Sequence, residues 1–118
     1  MKIEQRTIEN VAIVTVTGDI TITKGGDMMI KDKINSLLNQ GYLKLVIDLA
    51  GVSYVDSGGL GQLAAIQATV TRSGGTVVLV NLTRRLNDLL ALTRLLTVFA
   101  TFENEAAALA SLGAMPTA

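Results

Sequence analysis

The most unusual local feature of the chain is the glycine-rich hexapeptide DSGGLG at residues 56–61. It lies between a buried apolar segment and a segment whose apolar residues have helical spacing, so we expect a loop that turns into a helix. A helix start presents unpaired backbone N–H groups and the positive end of the macrodipole, and glycine lets such a backbone approach an anion closely. The hydroxyl of Ser57 in this position would be exposed and open to covalent modification.

Two interpretations of Ser57 follow from its position. In the first, Ser57 is only the N-cap of the helix, and Gly58, Gly59 and Gly61 relieve crowding where the helix meets the sheet. In the second, Ser57 is a covalent switch, because phosphorylation would add about −1.5 to −2 charge and three acceptor oxygens. The helix dipole would tolerate the phosphate and Asp56 would repel it, so the fold should survive while the surface changes sign.

The residue types of the chain exclude most catalytic machinery. There is no His and no Cys, so the usual zinc sites, Ser-His-Asp and Cys-His pairs, disulfides and redox thiols are all excluded. The glycines match neither a phosphate-binding P-loop nor a dinucleotide-binding fingerprint, and Ser57 does not stand in a G-x-S-x-G nucleophile elbow. We therefore expect no enzyme and no cofactor.

Four aspartates, Asp19, Asp27, Asp48 and Asp56, could in principle meet at the ends of strands. Asp27 is more typical of a charge at a helix start, and Asp48 of a solvated residue at a strand end. We therefore expect no metal site.

Charge and hydropathy also narrow the classes of partner. Ten Lys and Arg balance ten Asp and Glu, and only two Phe and two Tyr could stack on bases, so nucleic acid is disfavoured. The uncharged segment 57–71 has 15 residues, including three Gly, two Thr and two Gln, and is too short and too polar to span a bilayer. The N-terminus lacks the profile of a secretory signal, so we expect a cytoplasmic protein without membrane insertion.

The apolar pattern predicts an α/β fold in the order ββαβαβαβα, with a mixed sheet against which helices pack. We expect one domain over residues 1–113 and a flexible tail over 114–118. The predicted strands are 2–7, 11–18, 42–49, 76–80 and 98–102. The predicted helices lie between residues 26 and 41, from the glycine-rich loop to 72, from 83 onward, and over 103–112.

Several sequence blocks, taken in order, resemble the STAS domain of bacterial anti-sigma factor antagonists over nearly the whole chain. In the most specific block, LVIDLAGVSYVDSGGLGQL, a buried strand ends near Asp48 and seven residues separate it from Asp56 and Ser57. The others are TGDI after the opening strand pair, GGTVVLVNLTRRLNDLLALT, and FENEAAALASL near the end.

The resemblance implies a STAS fold and a regulatory role. The serine directly after the aspartate of the family's D-S-x-G-L-G loop is its phosphorylation site, and that position is Ser57, with Asp56, Gly58, Gly59, Leu60 and Gly61 forming the loop. Such antagonists work by partner switching. The unphosphorylated form binds an anti-sigma factor serine kinase and releases the sigma factor, phosphorylation ends that complex, and a serine phosphatase resets the protein.

We expect partner contacts at residues around this loop, namely Asp19, Thr21, Met28, Asn81 and Arg84. Thr21 stands where many antagonists carry an aspartate, and Lys24, Gly25 and Gly26 form a more flexible helix entry than is usual in the family. The alternative function is a non-switching STAS subunit of a signalling scaffold or a lipid-transport complex, for which Ser57 would be dispensable.

Overall fold

The fold begins with a β-hairpin, whose strands β1 (Lys2–Ile8) and β2 (Val11–Thr17) are joined by a two-residue turn. The computed structural model describes residues 2–21 and 26–113, without the side chains of residues 26–28. The remaining elements, in chain order, are α1 (Gly26–Asn39), β3 (Lys44–Gly51), α2 (Ser57–Arg72), β4 (Thr76–Val80), α3 (Arg84–Leu92), a short 3-10 helix (Leu95–Thr97), β5 (Ala100–Phe102) and α4 (Glu105–Ser111).

The five strands form one mixed sheet in the order β1-β2-β3-β4-β5. β1 pairs antiparallel with β2, whereas β2, β3, β4 and β5 are mutually parallel and are connected by helical crossovers. Parallel strands place their carboxyl ends at the same edge of a sheet. The loops after β2, β3, β4 and β5 therefore gather at one end of the molecule, which we call the carboxyl edge.

Two apolar layers enclose the sheet. The larger core packs side chains such as Val14, Ile47 and Leu79 against residues of α1, α2 and α3. The smaller core, on the other face, packs Ile13, Val46 and Val78 against Ala108, Leu109 and Leu112 at the C-terminal end of the chain. Because both faces of the central strands are covered, β2 and β4 are almost continuously apolar, as expected for buried parallel strands.

The predicted α/β order is confirmed, with differences at the element ends. β3 begins two residues later than predicted, because Tyr42 and Leu43 still belong to the connection from α1. β5 begins two residues later than predicted, because the N–H groups of Val98 and Phe99 still donate to the carbonyl of Leu95 in the 3-10 helix. α4 begins at Glu105 because the side chain of Asn104 accepts a hydrogen bond from the Ala107 N–H and so caps the helix. The predicted tail, 114–118, lies outside the described residues.

The start of α2 is pressed against the loop that follows β2. A Cβ atom added at Gly59 would lie 2.7 Å from the carbonyl oxygen of Ile20 and 2.7 Å from Cγ1 of Val55, closer than real Cβ contacts. A Cβ atom at Gly61, two residues later in the same helix, would meet nothing within 4 Å. Gly59 therefore sets how closely α2 approaches the carboxyl edge, whereas the space beside Gly61 is large enough for a side chain.

These two glycines make a matched pair for a stability test. We expect Gly59→Ala to lower the free energy of unfolding by about 1–3 kcal/mol, because the new methyl group overlaps backbone and a packed side chain. Gly61→Ala should leave stability unchanged or raise it by up to about 1 kcal/mol, because alanine favours a helix over glycine. Urea unfolding of both variants measures the difference, and equal effects would contradict the packing role of Gly59.

Candidate functional site

Two loops of the carboxyl edge run side by side and form the base of the site. The loop after β2 and the loop after β3 are joined by three backbone hydrogen bonds: Gly18 N–H to Gly51 O at 2.9 Å, Ile20 N–H to Tyr54 O at 3.0 Å, and Asp56 N–H to Ile20 O at 3.1 Å. Ile20 and Val55 form a parallel β-bridge, and both side chains are buried. This pairing continues the sheet beyond its strands and holds Asp56 in place.

Asp56 is the N-cap of α2. Its backbone is extended, with φ −81° and ψ 177°, and its Oδ1 accepts the Gly59 N–H at 2.7 Å. An N-cap aspartate satisfies one of the N–H groups that a helix start leaves unpaired, and its charge complements the helix dipole. The interpretation of Ser57 as the cap is therefore wrong, because the aspartate before it has that role.

Ser57 is the first helical residue and is exposed. Within residues 2–21 and 26–113, its hydroxyl takes part in no side-chain hydrogen bond. Since the capping role belongs to Asp56, the Ser57 hydroxyl is not required to close the helix end. The site thus presents a hydroxyl to solvent beside a carboxylate that is already engaged with the backbone.

The glycine-rich loop has more than one structural role. Gly59 is buried against Ile20 and Val55, so its lack of a side chain serves packing rather than approach to an anion. Leu60 is half-buried and packs against the larger core. Gly61 is exposed on the open side of the helix. Ser57 and Gly61 are therefore the exposed members of the loop.

Asp19, Thr21 and Asn81, which we expect to contact a partner, lie in two different loops of the carboxyl edge. Asp19 and Thr21 lie in the loop paired to the segment before Ser57, both half-buried, and Asp19 Oδ1 accepts a hydrogen bond from the Ser53 hydroxyl at 3.1 Å. Asn81 follows β4 in a left-handed conformation, with φ 57°, and its N–H donates to Phe102 O at 3.3 Å. The side chain of Met28 lies outside the described residues.

The N-terminal end of α3 is tied to the same edge. Thr83 caps α3 by accepting the Leu86 N–H at 3.2 Å, and its hydroxyl donates to Val52 O at 3.4 Å, in the loop after β3. The structure brings Arg84 to a groove of about 410 Å³ on the β5 side, where Phe102 and Glu103 also line the wall. Arg84 therefore belongs to the carboxyl edge but lies on its β5 side.

Sequence reasoning missed a contact beside the loop. The guanidinium of Arg85 lies 5.9 Å from the ring centroid of Tyr54, a side chain that is 42% exposed two residues before Asp56. A cation over an aromatic ring is a favourable electrostatic contact. Tyr54 is the single aromatic residue between β3 and α2, which marks it as unusual in the sequence. The spacing of residues does not show that Tyr54 lies opposite α3.

The aspartates considered as metal ligands have separate structural partners. Asp48 accepts the Ala50 N–H at 3.0 Å, Asp19 accepts from Ser53, and Asp56 caps α2. Among the described residues, no group of three or more acidic side chains could hold a metal ion, and the side chain of Asp27 lies outside that set. None of the described helices combines the length and apolar character needed to cross a membrane.

Solved structures with the same fold include regulators and a transporter. A candidate anti-sigma factor antagonist from Thermotoga maritima, TM1081, matches with a TM-score of 0.86 and 23% identity, over 94% of each chain. The Bacillus cell fate determinant SpoIIAA in its phosphorylated form matches with a TM-score of 0.71 and 15% identity, over 94% of this chain and 99% of that one. Both matches show that this chain has the same fold as these two proteins.

The murine anion transporter Slc26a9 contains the same fold within a much longer chain. It matches with a TM-score of 0.77 and 20% identity, over 92% of this chain but only 18% of the transporter. The STAS domain model matches residues 2–108, which include every strand and most of α4. The sequence and the fold therefore place this chain in the STAS domain family.

Proposed function

We propose that this chain is an anti-sigma factor antagonist that works by partner switching. In its unphosphorylated form it binds an anti-sigma factor serine kinase, which then releases its sigma factor. Phosphorylation of Ser57 ends that complex, and a serine phosphatase restores the binding form. The observation that carries the proposal is the exposed Ser57 hydroxyl at the start of α2, beside an aspartate that already caps the helix.

The hydroxyl that we propose is phosphorylated is not the group that caps the helix. Because Asp56 supplies the cap, phosphorylation of the Ser57 hydroxyl would not remove a hydrogen bond that caps the helix. A phosphate there would add about −1.5 to −2 charge, next to the positive end of the α2 dipole and next to the carboxylate of Asp56. The first effect is favourable and the second is repulsive, so folding should change little while the local surface becomes strongly acidic.

The surroundings of Ser57 suit a protein partner. The exposed ring of Tyr54 with Arg85 over it borders the loop, and aromatic and arginine side chains are enriched in protein interfaces. A phosphate introduced into a packed interface could cost about 2–5 kcal/mol, the range measured when a buried charge is left unpaired. Since about 1.4 kcal/mol changes affinity tenfold, one phosphate is enough to act as a switch.

The proposed role makes the chain a substrate and a ligand of enzymes rather than a catalyst. With no His and no Cys, it lacks the commonest general base and the thiol nucleophile. The likeness to candidate and named antagonists, including SpoIIAA, supports the role at this level. We place the encounter with the kinase and the phosphatase in the cytoplasm.

The second candidate function is a non-switching STAS subunit of a larger assembly, such as a signalling scaffold or a transport complex. The observation that favours it is the same fold inside the Slc26a9 anion transporter. In such a subunit the exposed Ser57 would have no regulatory consequence. Substitutions at Ser57 therefore distinguish the two functions.

The first test is capture of partners by Ser57 variants. Wild type, Ser57→Ala and Ser57→Asp serve as baits in lysate from the native cell, and bound proteins are identified by mass. We expect wild type and Ser57→Ala to retain an ATP-binding serine kinase and Ser57→Asp to lose it, because the introduced carboxylate carries negative charge into the interface. Equal capture of the same partners by all three baits would favour the assembly subunit.

The second test asks where the phosphate is added. Incubation of wild type with the captured kinase and ATP should add one phosphate, located at Ser57 by peptide mass spectrometry. Ser53→Ala is the matched control, since Ser53 is also exposed in the same loop but is hydrogen-bonded to Asp19. Ser53→Ala should still be phosphorylated, and Ser57→Ala should not. Phosphate on any other residue of Ser57→Ala, at the wild-type level, would contradict the assignment.

The third test separates loss of binding from loss of folding. Ser57→Asp should change the free energy of unfolding by less than about 0.5 kcal/mol, the usual range for an exposed residue away from special structural features. Asp56→Ala should lower it by about 0.5–2 kcal/mol, because it removes the N-cap of α2. Urea unfolding measures both. A larger loss for Ser57→Asp than for Asp56→Ala would mean that the hydroxyl, not the carboxylate, closes the helix.

A further inference from the structure

The outer side of β1 is a long strand edge, and no neighbouring strand among the described residues satisfies its backbone groups. β1 has seven residues and pairs with β2 on one side, and no strand within residues 2–21 and 26–113 pairs with its other side. The opposite edge of the sheet, β5, has only three residues. An exposed edge of this length is a template for pairing with another strand.

The hairpin register shows which backbone groups point outward. The two-residue turn is closed by the Ile8–Val11 pair, so hydrogen bonds to β2 alternate back along the strand from Ile8 through every second residue. The N–H and C=O groups of Ile3, Gln5 and Thr7 therefore face away from β2. These three residues are the ones available to bond with an added strand.

The side chains of β1 alternate in charge along one face. Lys2, Glu4 and Arg6 share the face toward α4, where Arg6 forms an ion pair with Glu105, whereas Gln5 faces α1 and accepts a hydrogen bond from Lys33 at 3.2 Å. Lys2 and Glu4 form an exposed ion pair with Nζ and Oε1 3.2 Å apart. Charged residues often protect a strand edge from pairing, but a row of alternating sign can be complementary to a second copy of itself.

We propose that β1 pairs antiparallel with β1 of a second copy of this chain, in the register that places Gln5 on the two-fold axis. This register sets Ile3 opposite Thr7 of the second copy, so every outward-facing backbone group of the strand has a partner. It also sets Glu4 opposite Arg6 of the second copy, twice by symmetry. Opposite charges directly across a strand pair are stabilising and like charges are destabilising.

Other registers lose this complementarity. A register centred on Glu4 places Glu4 opposite its own copy and Lys2 opposite Arg6. A register centred on Arg6 places two arginines in contact. A register centred on Ile3 pairs Lys2 with Glu4 but leaves the strand beyond Gln5 unpaired. The charge pattern thus selects one full-length pairing.

The surrounding groups are compatible with this pairing. Arg6 has five N–H donors, so it can bind Glu105 of its own chain and Glu4 of the second copy together. On the other face, a groove of about 450 Å³ lies between β1 and α1, lined by Ile3 and by the 44% exposed Met29. The dimer would hold two sheets as one ten-stranded sheet, and Ser57, on α2, takes no part in the strand pairing.

Charge reversal tests the proposal through self-association measured by sedimentation velocity over a range of concentrations. Glu4→Lys alone and Arg6→Glu alone each place like charges opposite one another twice, so each should weaken the dimer about tenfold or more. An equimolar mixture of the two variants should regain wild-type association. In the mixed dimer the introduced lysine faces the introduced glutamate, and the native Arg6 of one copy faces the native Glu4 of the other. Either variant associating as wild type does, or a mixture no stronger than its components, would overturn the proposal, as would a monomeric wild type at all concentrations.

Cysteine crosslinking tests the register. The chain has no Cys, so each single-cysteine variant can crosslink only to another copy. Gln5→Cys should form a disulfide dimer readily, because two residues on the axis lie about 5.5 Å apart between Cα atoms, within disulfide range. Thr7→Cys is the control, since its own copy lies several residues away along the strand. Faster crosslinking of Thr7→Cys, or of Glu4→Cys, than of Gln5→Cys would contradict the register.

Discussion

The candidate site depends on the parallel pairing of two loops beyond the ends of their strands. The hydrogen bonds from Ile20 and Asp56 and the buried contact between Ile20 and Val55 extend the β2–β3 ladder to Asp56, the N-cap of α2. Buried backbone groups need partners, and this pairing supplies them where the regular strands have ended. Everything else at the site, including the cap, the close packing of Gly59 and the exposure of Ser57, follows from where this ladder places Asp56.

This arrangement explains how a residue can change charge without disturbing the core. Asp56 caps the start of the helix, and Gly59 allows the helix to pack closely against the neighbouring loop. The Ser57 hydroxyl between them contributes to neither contact. A structural serine at the same point would use its oxygen as the cap, so modifying it would loosen α2. This separation of roles between adjacent residues would allow the proposed phosphorylation to alter binding rather than folding.

Much of the architecture could be predicted from the sequence because its signals are local. The alternation of apolar runs with helical spacing determines the order of elements, and the two-residue turn at residues 9–10 marks the hairpin. The choice between Asp56 and Ser57 as N-cap could not be predicted, since both residue types are good caps and only the pairing of Asp56 with Ile20 decides between them. The contact of Arg85 with Tyr54 also depends on tertiary structure.

The two proposed surfaces lie on different parts of the fold. The carboxyl edge gathers loops from the parallel strands and carries Ser57, whereas the outer side of β1 presents backbone groups and alternating charge. A two-fold dimer through β1 would carry two copies of the Ser57 site. The proposed binding of a kinase and the proposed pairing of two copies would therefore use separate contacts, which can be measured separately.

The most direct test of the central claim compares the binding of one purified kinase to two forms of the same protein. Titration calorimetry gives the dissociation constant for the unphosphorylated chain and for the chain carrying phosphate on Ser57. We predict that the phosphate weakens binding by about tenfold or more, corresponding to about 1.4 kcal/mol or more of lost interaction. Affinities that agree within about twofold would contradict partner switching and leave Ser57 as an exposed residue without a regulatory role.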